Sequence, residues 1–318
     1  MTQIMGYVPP TRRQGQLGVH SLDHFSMVVP DLQQAQDFYA LFGLDARREG
    51  QTVGLYAPGN PHRWGIVGEG KRKKLHYLSF GAFADDLPKF RQRIDQAGVE
   101  RMNAPPGFES NGIWFRNPDG LPIEIKAAEK VSPNAKMPTE FISSAAGVRG
   151  AALRSQAPIV HPRRLAHLAV YSSDVLRSIA FYRDVLGLRL SDKVGGHVAF
   201  MHGIHGSDHH LIAIGHSEGP GLHHCSWDVG SVQDVGLGAM QMAARGFTAG
   251  WGMGRHVLGS NYFHYVRDPW GSHSEYSADM DYIPVTQDWQ DADQAPEDAF
   301  YLWGPNPPED FTRNYEVA

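Results

Sequence analysis

From Leu22 the chain reads LDHFSMVVPDLQQAQDFYALFGL, and from Leu165 it reads LAHLAVYSSDVLRSIAFYRDVLGL. Each stretch opens on a short apolar run of strand character. At Asp31 or Asp174 it then switches to apolar positions spaced as on one face of a helix. An aspartate at such a switch is a helix N-cap, because its carboxylate can accept from a free first-turn amide, and Gly43 or Gly187 supplies the stop. His24 aligns with His167, and Phe38-Tyr39 with Phe181-Tyr182, at one offset of 143 residues. Farther on, LHYLSF (75–80) is echoed by LHHCSW (222–227), and FRNPDGLPIEI (115–125) by VRDPWGSHSEY (266–276). Segment order is kept while the offset grows to 151, as loop insertions produce, so a duplicated strand-helix-strands module is predicted.

Between the copies, residues 131–164 show no sustained period and scattered Pro, Gly and Ser, which places a linker there. Two domains are the default for 318 residues, and we divide the chain at 1–150, 151–282 and 283–318. After Met280 the chain carries nine acidic residues against one basic residue, Arg313. The last segment's aromatics Phe300, Tyr301, Trp303, Phe311 and Tyr315 predict that part of it packs on the body or on a neighbouring subunit, and a homo-oligomer is expected.

The most informative stretch is GRHVLGSNYFHYVRDPWGSHSE, starting at Gly254. Residues 261–267 are rich in β-forming and aromatic types, Asp268-Pro269-Trp270-Gly271 reads as a turn, and Ser274-Glu275-Tyr276 can begin a second strand. A hairpin is predicted with Tyr265 on one strand, Glu275 on its neighbour and His256 in the loop leading in. Of the 17 histidines, 13 lie between His161 and His273, while the first 150 residues hold only His20, His24, His62 and His76. Two neutral imidazoles and a carboxylate on one face suit a divalent first-row metal with open positions, the arrangement of non-haem Fe(II) oxygenases.

Composition narrows the partners. With 42% apolar and 20% charged residues and a net charge of -5, the chain offers no basic surface for nucleic acid or an anionic membrane. Cys225 is the only cysteine, so no intrachain disulfide forms. The polar start MTQIMGYVPPTRRQGQ lacks the apolar core of a secretory signal, and no apolar run approaches the roughly 20 residues of a membrane span, so the chain reads as cytoplasmic.

The duplicated module, together with HHLIAI, GLHHCSWDV and GRH…YVRDPWG…E, resembles the type I extradiol ring-cleavage dioxygenases of the vicinal oxygen chelate superfamily over about residues 20–280. The resemblance implies an α+β fold of two tandem vicinal oxygen chelate domains, each a pair of βαβββ modules forming an open barrel around a central pocket. It implies cleavage of a small-molecule catechol with O2 as co-substrate, on Fe(II) or less commonly Mn(II), with the metal in the C-terminal domain only. Its ligands would be His167, His224 and Glu275. His223 is the alternative for the second, since alternation lets one of that pair face the metal, and the resemblance selects His224. His210 corresponds to the family's acid/base histidine, with His209 pointing the other way, and His256 and Tyr265 to residues that hydrogen-bond the bound catecholate. In the N-terminal copy His24 and Glu124 are kept but Tyr77 replaces the middle histidine, so that copy reads as structural. His264 departs from the family, which has an apolar residue there. His202, His205, His216 and His273 are left as loop or supporting histidines, and Trp251, Met253, Phe200, His264 and the tail as candidate pocket walls. A hydroxyphenylpyruvate dioxygenase-like keto acid oxygenase and a non-enzymatic ligand-binding member are the alternatives.

Overall fold

Four strand-helix-strands units follow one another along the chain. In this computed structural model, which describes residues 10–108, 110–141 and 143–317, the opening nine residues lie outside the described part. Strand Ser21–Val29, helix Leu32–Leu41 and strands Asp45–Glu49, Thr52–Tyr56 and Arg63–Glu69 form the first unit. Lys74–Ala82, helix Leu87–Gln96 and strands Arg101–Met102, Ile113–Arg116 and Pro122–Ala127 form the second. The third comprises Arg164–Ser172, helix Val175–Asp184, Arg189–Val194, Val198–His202 and Ile212–His216. The fourth comprises Gly221–Asp228, helix Val232–Ala243, Gly250–Arg255, Tyr262–Arg267 and His273–Ala278. The echo at offset 143 is thus a repeat of paired βαβββ units, and the fold is α+β.

Local chemistry sets these elements. The Asp31 carboxylate accepts from the Gln34 amide at 2.9 Å and that of Asp174 from the Arg177 amide at 2.9 Å, so both switch aspartates are N-caps. Gly43 ends the first helix with φ +100°, and a Cβ there would stand 2.0 Å from the Val160 carbonyl oxygen. Only glycine fits both the backbone and the crossing chain.

The first two units share an eight-stranded sheet, and the other two, with Ala292–Asp293 from the tail, a nine-stranded one. In each sheet the two opening strands of its units lie antiparallel side by side, and each is flanked in parallel by the last strand of its own unit. Three neighbouring strands, Arg164–Ser172, Gly221–Asp228 and His273–Ala278, therefore present adjacent rows of side chains. One apolar core runs through both sheets. Phe42 stacks on Tyr276 with ring centroids 3.8 Å apart, and the Tyr276 hydroxyl donates to the Phe42 carbonyl at 2.8 Å.

The tail closes over the second sheet. Tyr282–Ile283 pairs with Ser207–Asp208, Ala292–Asp293 pairs with Arg189–Val194, and Arg255 bridges to Trp303. Phe300 stacks on Trp251, and buried Phe311 packs with Trp251, Phe263 and Tyr265. Among the described residues, no helix is long and apolar enough to cross a membrane.

Candidate metal centre

The sheet register brings the predicted ligands together. Ser226 in the central strand pairs with His167 on one side and with Glu275 on the other. His224 lies two residues before Ser226 and so projects on the same face. The ligand atoms of His167, His224 and Glu275 all lie within 4.8 Å of one another, the one such group among the described residues. His167 Nε2 stands 3.0 Å from His224 Nε2 and 3.4 Å from Glu275 Oε2, and His224 Nε2 is 3.6 Å from that oxygen.

The donor set fits a cation. Glu275 is 0% exposed, and while its Oε1 accepts from Asn261 Nδ2 at 3.1 Å, its Oε2 has no hydrogen-bond partner. A buried carboxylate oxygen without a partner is costly, and a cation held between it and the two converging imidazole nitrogens would relieve it. Burial raises the Glu275 carboxyl, and the adjacent His167 and His256 more than offset this, holding it below the ordinary carboxylate range. Burial also pushes His224 well below the ordinary imidazole range, which keeps its nitrogen unprotonated for a metal.

His223 decides how His224 presents itself. His223 Nε2–H donates to the Phe311 carbonyl at 2.9 Å, so in the neutral ring its Nδ1 accepts, and His224 Nδ1–H donates to it at 2.6 Å. His224 is left with Nε2 as a bare lone pair toward the cluster. That is how an outer partner fixes a ligand's tautomer. His223 itself is held to about 4 by burial. His167 has no comparable support: its Nδ1 is buried and unpaired among the described residues.

The remaining predicted residues line the same group. His210 sits with its ring centroid 4.1 Å from that of His167, in the bend before strand Ile212–His216. Tyr265 pairs with Glu275 across the hairpin, and His256 follows strand Gly250–Arg255. His256 Nδ1–H donates to the Phe300 carbonyl at 2.8 Å, so its Nε2 accepts from the Tyr265 hydroxyl at 2.9 Å. Burial, reinforced by Glu275, raises the Tyr265 phenol well above its ordinary value, so it stays protonated and able to donate. Phe200 meets His210 edge-on at 4.9 Å, and Trp251 stacks on Tyr265.

Several expectations change. His209 does turn its Nε2 away from the cluster toward Asp192, yet its Nδ1 lies 3.1 Å from His210 Nδ1. The pair sits in a bend, where strand alternation does not hold. Met253 does not reach the site, because a register shift between Gly252 and Gly254 turns it toward the helix face, where it packs on the main core. His264 alternates with Tyr265 and so lies on the opposite face of its strand. Asn261, which holds Glu275, was not singled out from the sequence. Its period-two relation to Phe263 and Tyr265 is the signal that finds it.

The N-terminal copy places His24, Ser79 and Glu124 in the same cross-strand row. Here protein groups satisfy the polar atoms. His24 Nδ1 meets Asp23 at 2.6 Å and its Nε2 meets the Tyr77 hydroxyl at 3.0 Å. The Glu124 oxygens accept from Ser79 and Ser110.

Comparison with known proteins gives concordant findings. The family described as the Glyoxalase/Bleomycin resistance protein/Dioxygenase superfamily matches residues 21–125 and 164–276. Metapyrocatechase 2 of Cupriavidus necator is 48% identical, over 94% of this chain and 93% of that protein. The manganese-dependent 2,3-dihydroxybiphenyl 1,2-dioxygenase of Geobacillus genomosp. 3 is 24% identical, over 84% of this chain and 87% of its own. Among solved structures, an extradiol ring-cleaving dioxygenase from B. fuscum superposes with a TM-score of 0.74 at 18% identity, covering 95% of this chain and 84% of that one.

Proposed function

Since the chain belongs to the Glyoxalase/Bleomycin resistance protein/Dioxygenase superfamily, we propose that its buried His167, His224 and Glu275 bind the metal of an extradiol catechol dioxygenase. The enzyme opens a substituted catechol beside its two hydroxyls, inserting both atoms of O2 to give a hydroxymuconic semialdehyde-type product in aromatic degradation. The observation that carries the assignment is the unpartnered Glu275 Oε2 facing two imidazoles, with His210 to one side and the His256–Tyr265 pair to the other. We take the metal to be Fe(II), and the enzyme to be a cytoplasmic homo-oligomer. When bound, the metal supplies the Lewis-acid and redox chemistry that joins diol and O2.

The side chains supply the rest. His210, neutral because burial lowers it well below the ordinary range, takes a proton from a diol hydroxyl and returns it to the product. The Phe300 carbonyl presets His256, which accepts the Tyr265 proton on Nε2, and the Tyr265 oxygen so held accepts a hydrogen bond from the bound diol and orients it. Phe200, Trp251 and Phe300 give the surroundings an apolar character suited to a ring.

Oxygen uptake and visible absorbance with a panel of 3- and 4-substituted catechols, against 4-hydroxyphenylpyruvate, test the assignment. Yellow semialdehyde should accumulate with catechols. A colourless muconic acid, or uptake with the keto acid alone, contradicts it. Activity restored by Mn(II) and not by Fe(II) overturns the choice of metal.

A further inference from the structure

The histidine pair at 209–210 repeats, on the other side of the site, the arrangement that fixes His224. Asp192 Oδ2 stands 2.9 Å from His209 Nε2, and a carboxylate can only accept there, so His209 carries its proton on Nε2. With the His209 ring neutral its Nδ1 is an acceptor, and the 3.1 Å contact with His210 Nδ1 is then a hydrogen bond donated by His210. The proton of neutral His210 is thereby on Nδ1. Nε2, which carries no hydrogen bond among the described residues, is the lone pair left over.

The array is held from both ends. Asp192 and His209 are buried, and the other Asp192 oxygen accepts from Gln294 Nε2 of the tail at 2.9 Å. The His209 amide donates to the Asp281 carbonyl at 2.7 Å, while its own carbonyl accepts from the Ser191 hydroxyl at 2.5 Å. Trp289 of the tail stands edge-on to the His209 ring at 5.5 Å and donates to the Ser191 carbonyl at 3.0 Å. None of these groups is needed as a ligand. A free imidazole has no such preference imposed on it, and the wrong tautomer would present a donor where a base is required.

We propose that Asp192 and His209 are positioning residues that lock His210 in its Nδ1–H tautomer, so that Nε2 meets the catechol as a base. This rests on the catechol dioxygenase reading above. In the step they serve, the diol O–H bond breaks and an Nε2–H bond forms, giving an imidazolium whose Nδ1–H still donates to His209. The same proton goes back to the product, so the array ends as it began.

Neutron diffraction from deuterium-exchanged crystals of the metal-loaded full chain tests the tautomer without reference to activity. Deuterium is expected on His210 Nδ1 and His209 Nε2. Deuterium on His210 Nε2 overturns the inference. Asp192→Asn tests its consequence: Gln294 keeps donating to the side-chain oxygen, so the new amide nitrogen faces His209 Nε2 and donates, reversing the array and placing the His210 proton on Nε2. Its kcat should fall on the order of 10²-fold with KM for the catechol unchanged. An unchanged kcat, or a loss carried equally by KM, overturns the positioning role. If the parent enzyme turns over no catechol while the deuterium lies as expected, the functional reading fails and the proton arrangement stands.

Discussion

Replacing Glu316 by alanine should destabilise the protein far more than the loss of an exposed surface carboxylate does. Glu316 and Lys73 form an ion pair at 2.5 Å with side chains 3% and 4% exposed. The Glu316 carboxylate also accepts from the Leu222 amide at 3.0 Å and the Leu75 amide at 2.8 Å, while Lys73 reaches the Leu222 carbonyl and Ser272. One carboxylate thus ties the tail to both sheets. Truncating it leaves a buried ammonium without its counter-ion, a loss of about 3–5 kcal/mol. The two stranded amides would add to this, but water entering the space left by the side chain limits the total to about the ion-pair figure. At about 2.1 cal/mol/K per residue, the unfolding entropy of 318 residues converts this to a Tm decrease of about 4–8 °C by calorimetry. The control is the double variant Lys73→Met with Glu316→Leu, which removes both charges and fills the space. It should recover most of the loss, because well-packed apolar pairs commonly match buried ion pairs. A single variant melting within about 1 °C of the parent, or a double variant no better than the single, would refute the argument.

Anaerobically prepared protein should hold one metal ion per chain by elemental analysis, and Glu275→Ala should lose it; full retention counts against the ligand set. His210→Phe should keep metal and catechol binding while kcat falls on the order of 10²–10⁴-fold. Loss of metal would instead make His210 a ligand. Stability should also fall with acid. Burial holds His20 at about 4 and His202 at about 3, both below the ordinary 6.5, so the unfolded chain binds more protons between those values. The stability they contribute is complete above pH 6.5 and is lost as the pH falls toward the folded values, each histidine contributing up to about 1.4 kcal/mol per pH unit. A Tm that stays level from pH 7 down to pH 5 is the contrary result.

Helix starts at Asp31 and Asp174, the stops at Gly43 and Gly187, and the strand character around His167, His224 and Glu275 were all legible in the sequence. Each depends on groups within about four residues, where caps and periodicity operate. The family resemblance went further and picked out residues whose candidate ligand atoms the sheet brings within 4.8 Å of one another. Such a carry-over works because a strand's side-chain alternation leaves each of these side chains a single available face. It stops working where the chain leaves that regularity. The bulge at Gly252–Gly254 sends Met253 to the core, and the bend at 209–210 joins two histidines that alternation would separate. Partners supplied by other segments were beyond its reach: Asp192 and Gln294 behind His209, the Phe311 carbonyl behind His223, Asn261 on Glu275, and Lys73 under Glu316. The sequence alone determined which residue types stood in which strands. Only the tertiary structure decided which nitrogen of each site histidine is free to react, because that depends on the acceptor placed behind the ring, and the Phe311 carbonyl behind His223 comes from 88 residues away.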